Sequence, residues 1–165
     1  MSWSYDMAKL VYDALDGCGL LPECTYIWPG CEPPHEAWKT ECDTPLWITF
    51  TEGVADDRGA DTCPSNRTLS VQVKLWIKQC QPKYDEHGAL PTAQELMDQA
   101  NAQADVRTRI LDTLLAWSKL LCDGNCWDGC WDRQKFGQWE CSGNTGEQCV
   151  LRTFTIEFYR SNDGS

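Results

Sequence analysis

The stretch from Thr92 to Leu121 constrains the fold of this chain more than any other feature. Thr92 and Glu95 stand in the T-x-x-E spacing of a capping box, in which each side chain satisfies the other residue's amide. Pro91 sits just before them, where its missing N–H costs the helix nothing. Leu96, Ala100, Ala104, Leu111, Leu114, Leu115, Trp117 and Leu121 then recur near helical spacing, with Ile110 in an adjoining row. Acidic residues come early (Glu95, Asp98) and basic ones later (Arg107, Arg109, Lys119), as the helix dipole favours. Asp105 and Arg109 are spaced for an i,i+4 ion pair, and Gly124 is placed as a stop. A continuous helix here is roughly 45 Å long at about 1.5 Å per residue. That length invites a kink near Ala102–Asp105. Whatever else the chain forms must give this helix a surface to cover.

Three alternating segments supply that surface. Leu46, Ile48 and Phe50 alternate with Trp47, Thr49 and Thr51. Leu69, Val71, Val73, Leu75 and Ile77 alternate with polar residues and Trp76, and Phe154, Ile156 and Phe158 alternate with Thr153, Thr155, Glu157 and Tyr159. One apolar and one polar face is the pattern of an antiparallel sheet covered on one side. The first two segments form a hairpin with a long acidic loop. A shorter helix precedes them, with Ser4 as its cap, Met7, Leu10, Val11, Ala14 and Leu15 on one face, and Gly17 at its end. Strands in sequence with helices on one face give an α+β fold, and 165 residues make it a single domain over 1–165.

Two segments lack periodicity. Residues 18–45 form an irregular connection rich in Pro and Cys, and residues 122–148 an insertion rich in Cys, Trp and Gly, with a small hairpin expected around Gly137. The net charge of −11 argues against a phosphate-binding surface. The segment MSWSYDMAKL has neither the basic nor the apolar region of a secretory leader, and no apolar run reaches the ~20 residues of a membrane span. The expected compartment is therefore cytosol-like, where thiols stay reduced.

Eleven cysteines and nine tryptophans are the unusual content. Cys122, Cys126, Cys130 and Cys141 are candidate zinc ligands, but no C-x-x-C knuckle is present. Disulfides, if the protein ends up outside a cell, and plain reduced thiols are the other readings. His35 and His87, the two histidines, read as loop residues rather than catalytic bases, and the Asp56-Asp57 pair as solvated charge. No Gly-rich phosphate loop occurs. The expectation is no enzyme and no cofactor. Trp47 and Trp76 fall on the outward sheet face, and Trp127, Trp131 and Trp139 in the insertion. Together they are candidate interface anchors, whose replacement by Ala is expected to weaken assembly more than folding.

Element order and segment patterns resemble the tail terminator proteins of long-tailed bacteriophages. The resembling segments are SYDMAKLVYDALDG, TPLWITFTEG, TLSVQVKLWIK, TAQELMDQANAQADVRTRILDTLLAWSKLL and VLRTFTIEFYR. The resemblance implies a small antiparallel sheet with a long helix and a short N-terminal helix packed on one face. It further implies a structural virion protein, made in the host cytoplasm, that forms a homo-hexameric ring. Such a ring caps the tail tube, contacts the major tail tube protein and a neck or head-completion protein, and lets DNA slide through an acidic lumen without specific binding. Two alternatives stay open. One is another head–tail connector or head-completion protein, and the other a Cys- and Trp-rich binding module stapled by disulfides.

Overall fold

A computed structural model of the chain describes residues 2–17, 25–33, 45–55, 67–80, 88–122, 131, 133–144 and 149–162. The elements run α1 (Trp3–Gly17), β1 (Thr25–Ile27), β2 (Leu46–Ala55), β3 (Arg67–Cys80), α2 (Ala93–Cys122), β4 (Arg133–Phe136), β5 (Glu140–Asn144) and β6 (Cys149–Asn162). The fold is α+β.

β3 is the axis of the sheet. It pairs antiparallel with β2 on one side, from Leu46↔Ile77 to Ala55↔Thr68, and with β6 on the other, from Arg67↔Asn162 to Cys80↔Cys149. Strand order is β1-β2-β3-β6-β4, with β5 also on β6. The expected purely antiparallel sheet is mixed, because β1 runs parallel to β2 at Thr25↔Leu46 through Ile27↔Ile48. β1 lies within the segment read as irregular. The hairpin expected around Gly137 is not formed either. β4 and β5 each pair with β6, at Gln134↔Phe158 and Glu140↔Thr153, and the Gly137 amide between them donates to the Thr155 carbonyl at 2.9 Å. A Cβ at Gly137 would stand 3.1 Å from that carbonyl, so the close approach favours glycine.

Alternation dictates the core. Ile48, Val71, Val73, Leu75, Ile77, Phe154, Ile156 and Phe158 are buried on one sheet face, as their period of two requires. The short helix does most of the covering, placing Met7, Ala8, Val11 and Leu15 there, while α2 contributes Ile110 and Leu114. Ser2, not Ser4, caps α1, through Tyr5 N to Ser2 Oγ at 3.3 Å. Ser4 is instead buried and donates to Glu52 Oε1 at 2.5 Å, tying the helix start to β2.

α2 is unbroken from Ala93 to Cys122, without the expected kink. Its capping box is formed as read: Glu95 N reaches Thr92 Oγ1 at 3.1 Å and Thr92 N reaches Glu95 Oε2 at 3.3 Å. Asp105 and Arg109 form no ion pair; among the described residues the one present joins Lys9 to Asp13 at 2.9 Å. Among the described residues, no helix is long and apolar enough to cross a membrane.

Candidate assembly surface

Trp47 and Trp76 face each other across the β2–β3 ladder, on the sheet face away from the helices. That placement agrees with the alternation, but the rings are not presented to solvent. Trp47 is 6 % and Trp76 5 % exposed. Trp28, just beyond β1, packs edge-on against Trp47 at 5.5 Å between centroids, and Tyr26 lies 4.7 Å from the same ring. Leu151 packs beside them. Trp76 Nε1 donates to the buried Thr49 hydroxyl at 2.9 Å, and Lys74 Nζ lies 4.4 Å over the Trp76 ring. The pair forms a second, smaller core, so one end of the supposedly wet face is dry. Lys78 and Gln79 on β3 are buried too.

Trp131 and Trp139 also turn inward. Trp131 is 4 % exposed and packs against Phe158 and Trp117, at 4.9 and 5.4 Å between centroids. Trp139 is half-buried against Phe154, and its Nε1 donates to the Arg107 carbonyl at 3.2 Å. Both tryptophans seal the main core at the β6 side. Trp127, Cys126, Cys130, His35, His87, Asp56, Asp57 and Gly124 lie outside the described residues, as does the side chain of Cys122. Cys141 is exposed, with Arg152 Nη1 at 3.0 Å from its sulfur. Among the described residues, no group of His, Cys, Asp and Glu is arranged to hold a metal ion.

Cys149 is joined to Cys80, the cysteine that ends β3, and not to a cysteine closer in sequence. The bridge links directly opposed residues of β3 and β6, at a sequence separation of 69 and with Cα atoms 3.9 Å apart.

What remains outward is α2. From Ala93 to Ala102 every side chain is exposed, including Leu96 at 44 % and Met97 at 58 %, with Leu90 just before the helix at 71 %. The helix is held to the body through polar groups spaced four residues apart. Gln99 and Gln103 donate to the Cys80 carbonyl at 3.0 and 2.6 Å, and Arg107 donates to Gln79 Oε1 at 2.5 Å. Gln79 Nε2 in turn donates to the Gln103 carbonyl at 3.1 Å. Partial burial, and then the nearby Arg152, lower the pKa of Arg107 from its ordinary value. This Gln–Gln–Arg stripe carries no periodic apolar signal, and hydrophobic patterning passes over it. Its signature was polar residues at a strict spacing of four, beside a strand that ends in Gln-Cys.

A shallow cleft of about 260 Å³ opens at the start of α1, between Trp3, Glu52, Leu69, Val71 and Arg160. Arg160 lies 4.7 Å over the Trp3 ring. Chemically, the described surface offers hydrogen-bonding edges and an exposed amphipathic helix, the materials of association. No protein-family model matches this chain, and no curated protein matches it significantly.

Proposed function

We propose that this chain is a structural virion protein, a tail terminator whose homo-hexameric ring caps the tail tube and joins it to the neck. The reading rests on the resemblance of its segments to that family, and one observation carries it beyond resemblance. The N-terminal turns of α2 project Leu96 and Met97 into solvent, on the part of the helix that polar contacts tether, ahead of the buried Ile110 and Leu114. Apolar groups grouped on an exposed helix belong to an interaction surface. The partners on this reading are five further copies, the major tail tube protein and a neck or head-completion protein. The net charge of −11 lets DNA slide through the lumen. The role is steric and associative, without a catalytic step or a cofactor.

Native mass spectrometry of the purified protein without reductant tests the reading. A six-subunit species that halts tube growth when added to polymerising tail tubes is the expected result. A monomer that neither assembles nor binds tubes overturns it.

The Cys80–Cys149 bridge favours one second reading, a disulfide-stapled binding module. That reading predicts a monomer whose tryptophan fluorescence responds to a ligand.

A further inference from the structure

We infer that the open edge of β2 accepts β4 of a second copy, so that the subunits join head to tail through one continuous sheet. The inference rests on the ring reading above and names the contact that would build it.

The backbone defines which groups are available. The Ile48 carbonyl accepts from the Trp28 amide at 2.8 Å, so Ile48 turns its polar groups away from β3. Antiparallel ladders alternate, and the β2–β3 register is unbroken from Leu46 to Ala55. Phe50, Glu52 and Val54 therefore also point their N–H and C=O groups outward. β1 stops at Ile27, opposite Ile48, and none of these outward groups meets a strand among the described residues. Val54 is 51 % exposed, and Glu52 and Gly53 are exposed beside it. An unpaired run of backbone groups with an exposed apolar side chain is a template for strand addition.

β4 ends the sheet on the opposite side. Gly137 bonds inward to Thr155, so by the same alternation Gln134 and Phe136 turn their backbone groups outward. β2 and β4 run in opposite directions, because β2–β3, β3–β6 and β6–β4 are all antiparallel. A second copy that keeps its faces aligned thus presents β4 antiparallel to β2. Outward-pointing residues on both edges carry their side chains on the helix-covered face, so pairing extends the apolar layer from Val54 to Phe136. Charge agrees as well. The β2 edge carries Glu52 and is followed in sequence by Asp56-Asp57, whereas β4 reads Arg-Gln-Lys-Phe. Glu52 lies on the helix-covered face and Lys135 on the other, so the edges match in overall sign rather than through a direct ion pair. Lys135 is exposed and has no ion pair among the described residues. Each copy offers one donor edge and one acceptor edge of opposite charge. Such a heterologous contact closes into a ring when its rotation allows.

Val54→Pro tests the inference. It removes one outward N–H and leaves every β2–β3 bond in place, since Val54 does not bond β3, and edge strands tolerate proline. Native mass spectrometry at several concentrations, with circular dichroism as a folding check, is expected to show a folded protein whose assembly is at least about tenfold weaker. Amide exchange on the wild-type protein gives a second readout that needs no variant. The amides of Phe50, Glu52, Val54, Gln134 and Phe136 should be protected in the oligomer and exchange freely on dilution to monomer. A wild-type ring with those amides unprotected, or a Val54→Pro ring of unchanged affinity, overturns strand pairing and leaves the ring reading intact. A wild-type monomer at every concentration, with or without tail tubes, overturns both.

Discussion

Replacing Trp76 by Ala separates a core residue from an interface anchor. The ring is 5 % exposed, clustered with Trp47 across the ladder and bonded through Nε1 to the hydroxyl of Thr49, a residue itself 1 % exposed. Truncating a buried aromatic residue to Ala costs about 3–5 kcal/mol in transfer and cavity terms. The Thr49 hydroxyl then loses its donor in a dry site, which adds about 1 kcal/mol. A loss of about 4–6 kcal/mol consumes much of the roughly 5–15 kcal/mol that holds a typical domain together. For a chain of this length it lowers the melting temperature by about 10–20 °C. Trp76→Phe keeps most of the packing and deletes the N–H, so it should lose only about 1–2 kcal/mol. Urea unfolding followed by circular dichroism measures both variants in the monomer, and native mass spectrometry measures assembly. A Trp76→Ala protein within about 1 kcal/mol of the parent that nonetheless fails to assemble would refute the argument and restore Trp76 as an anchor.

Three further outcomes are expected. Reducing Cys80–Cys149, or replacing both residues by Ser, frees a loop of 69-residue separation and should lower the unfolding free energy by up to about 4 kcal/mol on the chain-entropy account; an unchanged urea midpoint would show that the bridge does not form in solution. Gln99→Ala, Gln103→Ala and Arg107→Met combined remove the side-chain bonds that α2 donates to the Cys80 carbonyl and Gln79, leaving the Gln79 bond to the carbonyl of residue 103, so amide exchange should rise along α2 while the β3 and β6 amides stay protected; equal exchange in parent and variant would mean that the polar stripe does not hold the helix. Leu96→Ser with Met97→Ser alters side chains 44 % and 58 % exposed, so stability should move by less than about 0.5 kcal/mol per site while, on the proposed function, binding to tail tubes weakens; tube binding at parental affinity would remove α2 from the proposed interface.

The parts of the fold that were legible share one cause. Each is a local pattern whose partner lies within a few residues. Thr92 and Glu95 are three residues apart and cap each other. Leu69 to Ile77 and Phe154 to Phe158 alternate, and alternation alone decides which side chains share a face. What periodicity does not carry is the identity of the element that meets a face. Leu96, Ala100 and Ala104 mark an apolar stripe on α2, yet Leu96 stays in solvent, because α1 already occupies the sheet and a thirty-residue helix outruns it. Trp47 and Trp76 do lie on the outward face, but Trp28 covers Trp47 from an element too short to show alternation. The Cys80–Cys149 bridge was within reach of sequence logic: the two cysteines end long strands that an antiparallel pairing brings together. Close spacing along the chain, as in Cys122, Cys126 and Cys130, says nothing about which strands bring distant cysteines together.

The division of labour between the two helices bears on what α2 is for. α1 packs four fully covered side chains over the sheet, and with Ile110 and Leu114 the main core is closed. The turns from Ala93 to Ala102 therefore bury no side chain, and they persist through their capping box, one Gln94–Asp98 side-chain bond, the Gln99 bond to the Cys80 carbonyl and the continuity of the helix. Isolated helices of that length are marginal in water, so this arm sits at the low end of local stability. A segment so weakly held gains the most from a partner. Leu96 and Met97 are already about half covered, so burying the rest of each against a neighbour would supply roughly half of the 1.5–3 kcal/mol that covering a whole exposed side chain gives. That gain exceeds the few tenths of a kcal/mol that the Gln94–Asp98 pair contributes. The arm is thus a part of the described structure whose order would gain from a partner, and, if the proposed function holds, its amides are where exchange should slow when tail tubes are added.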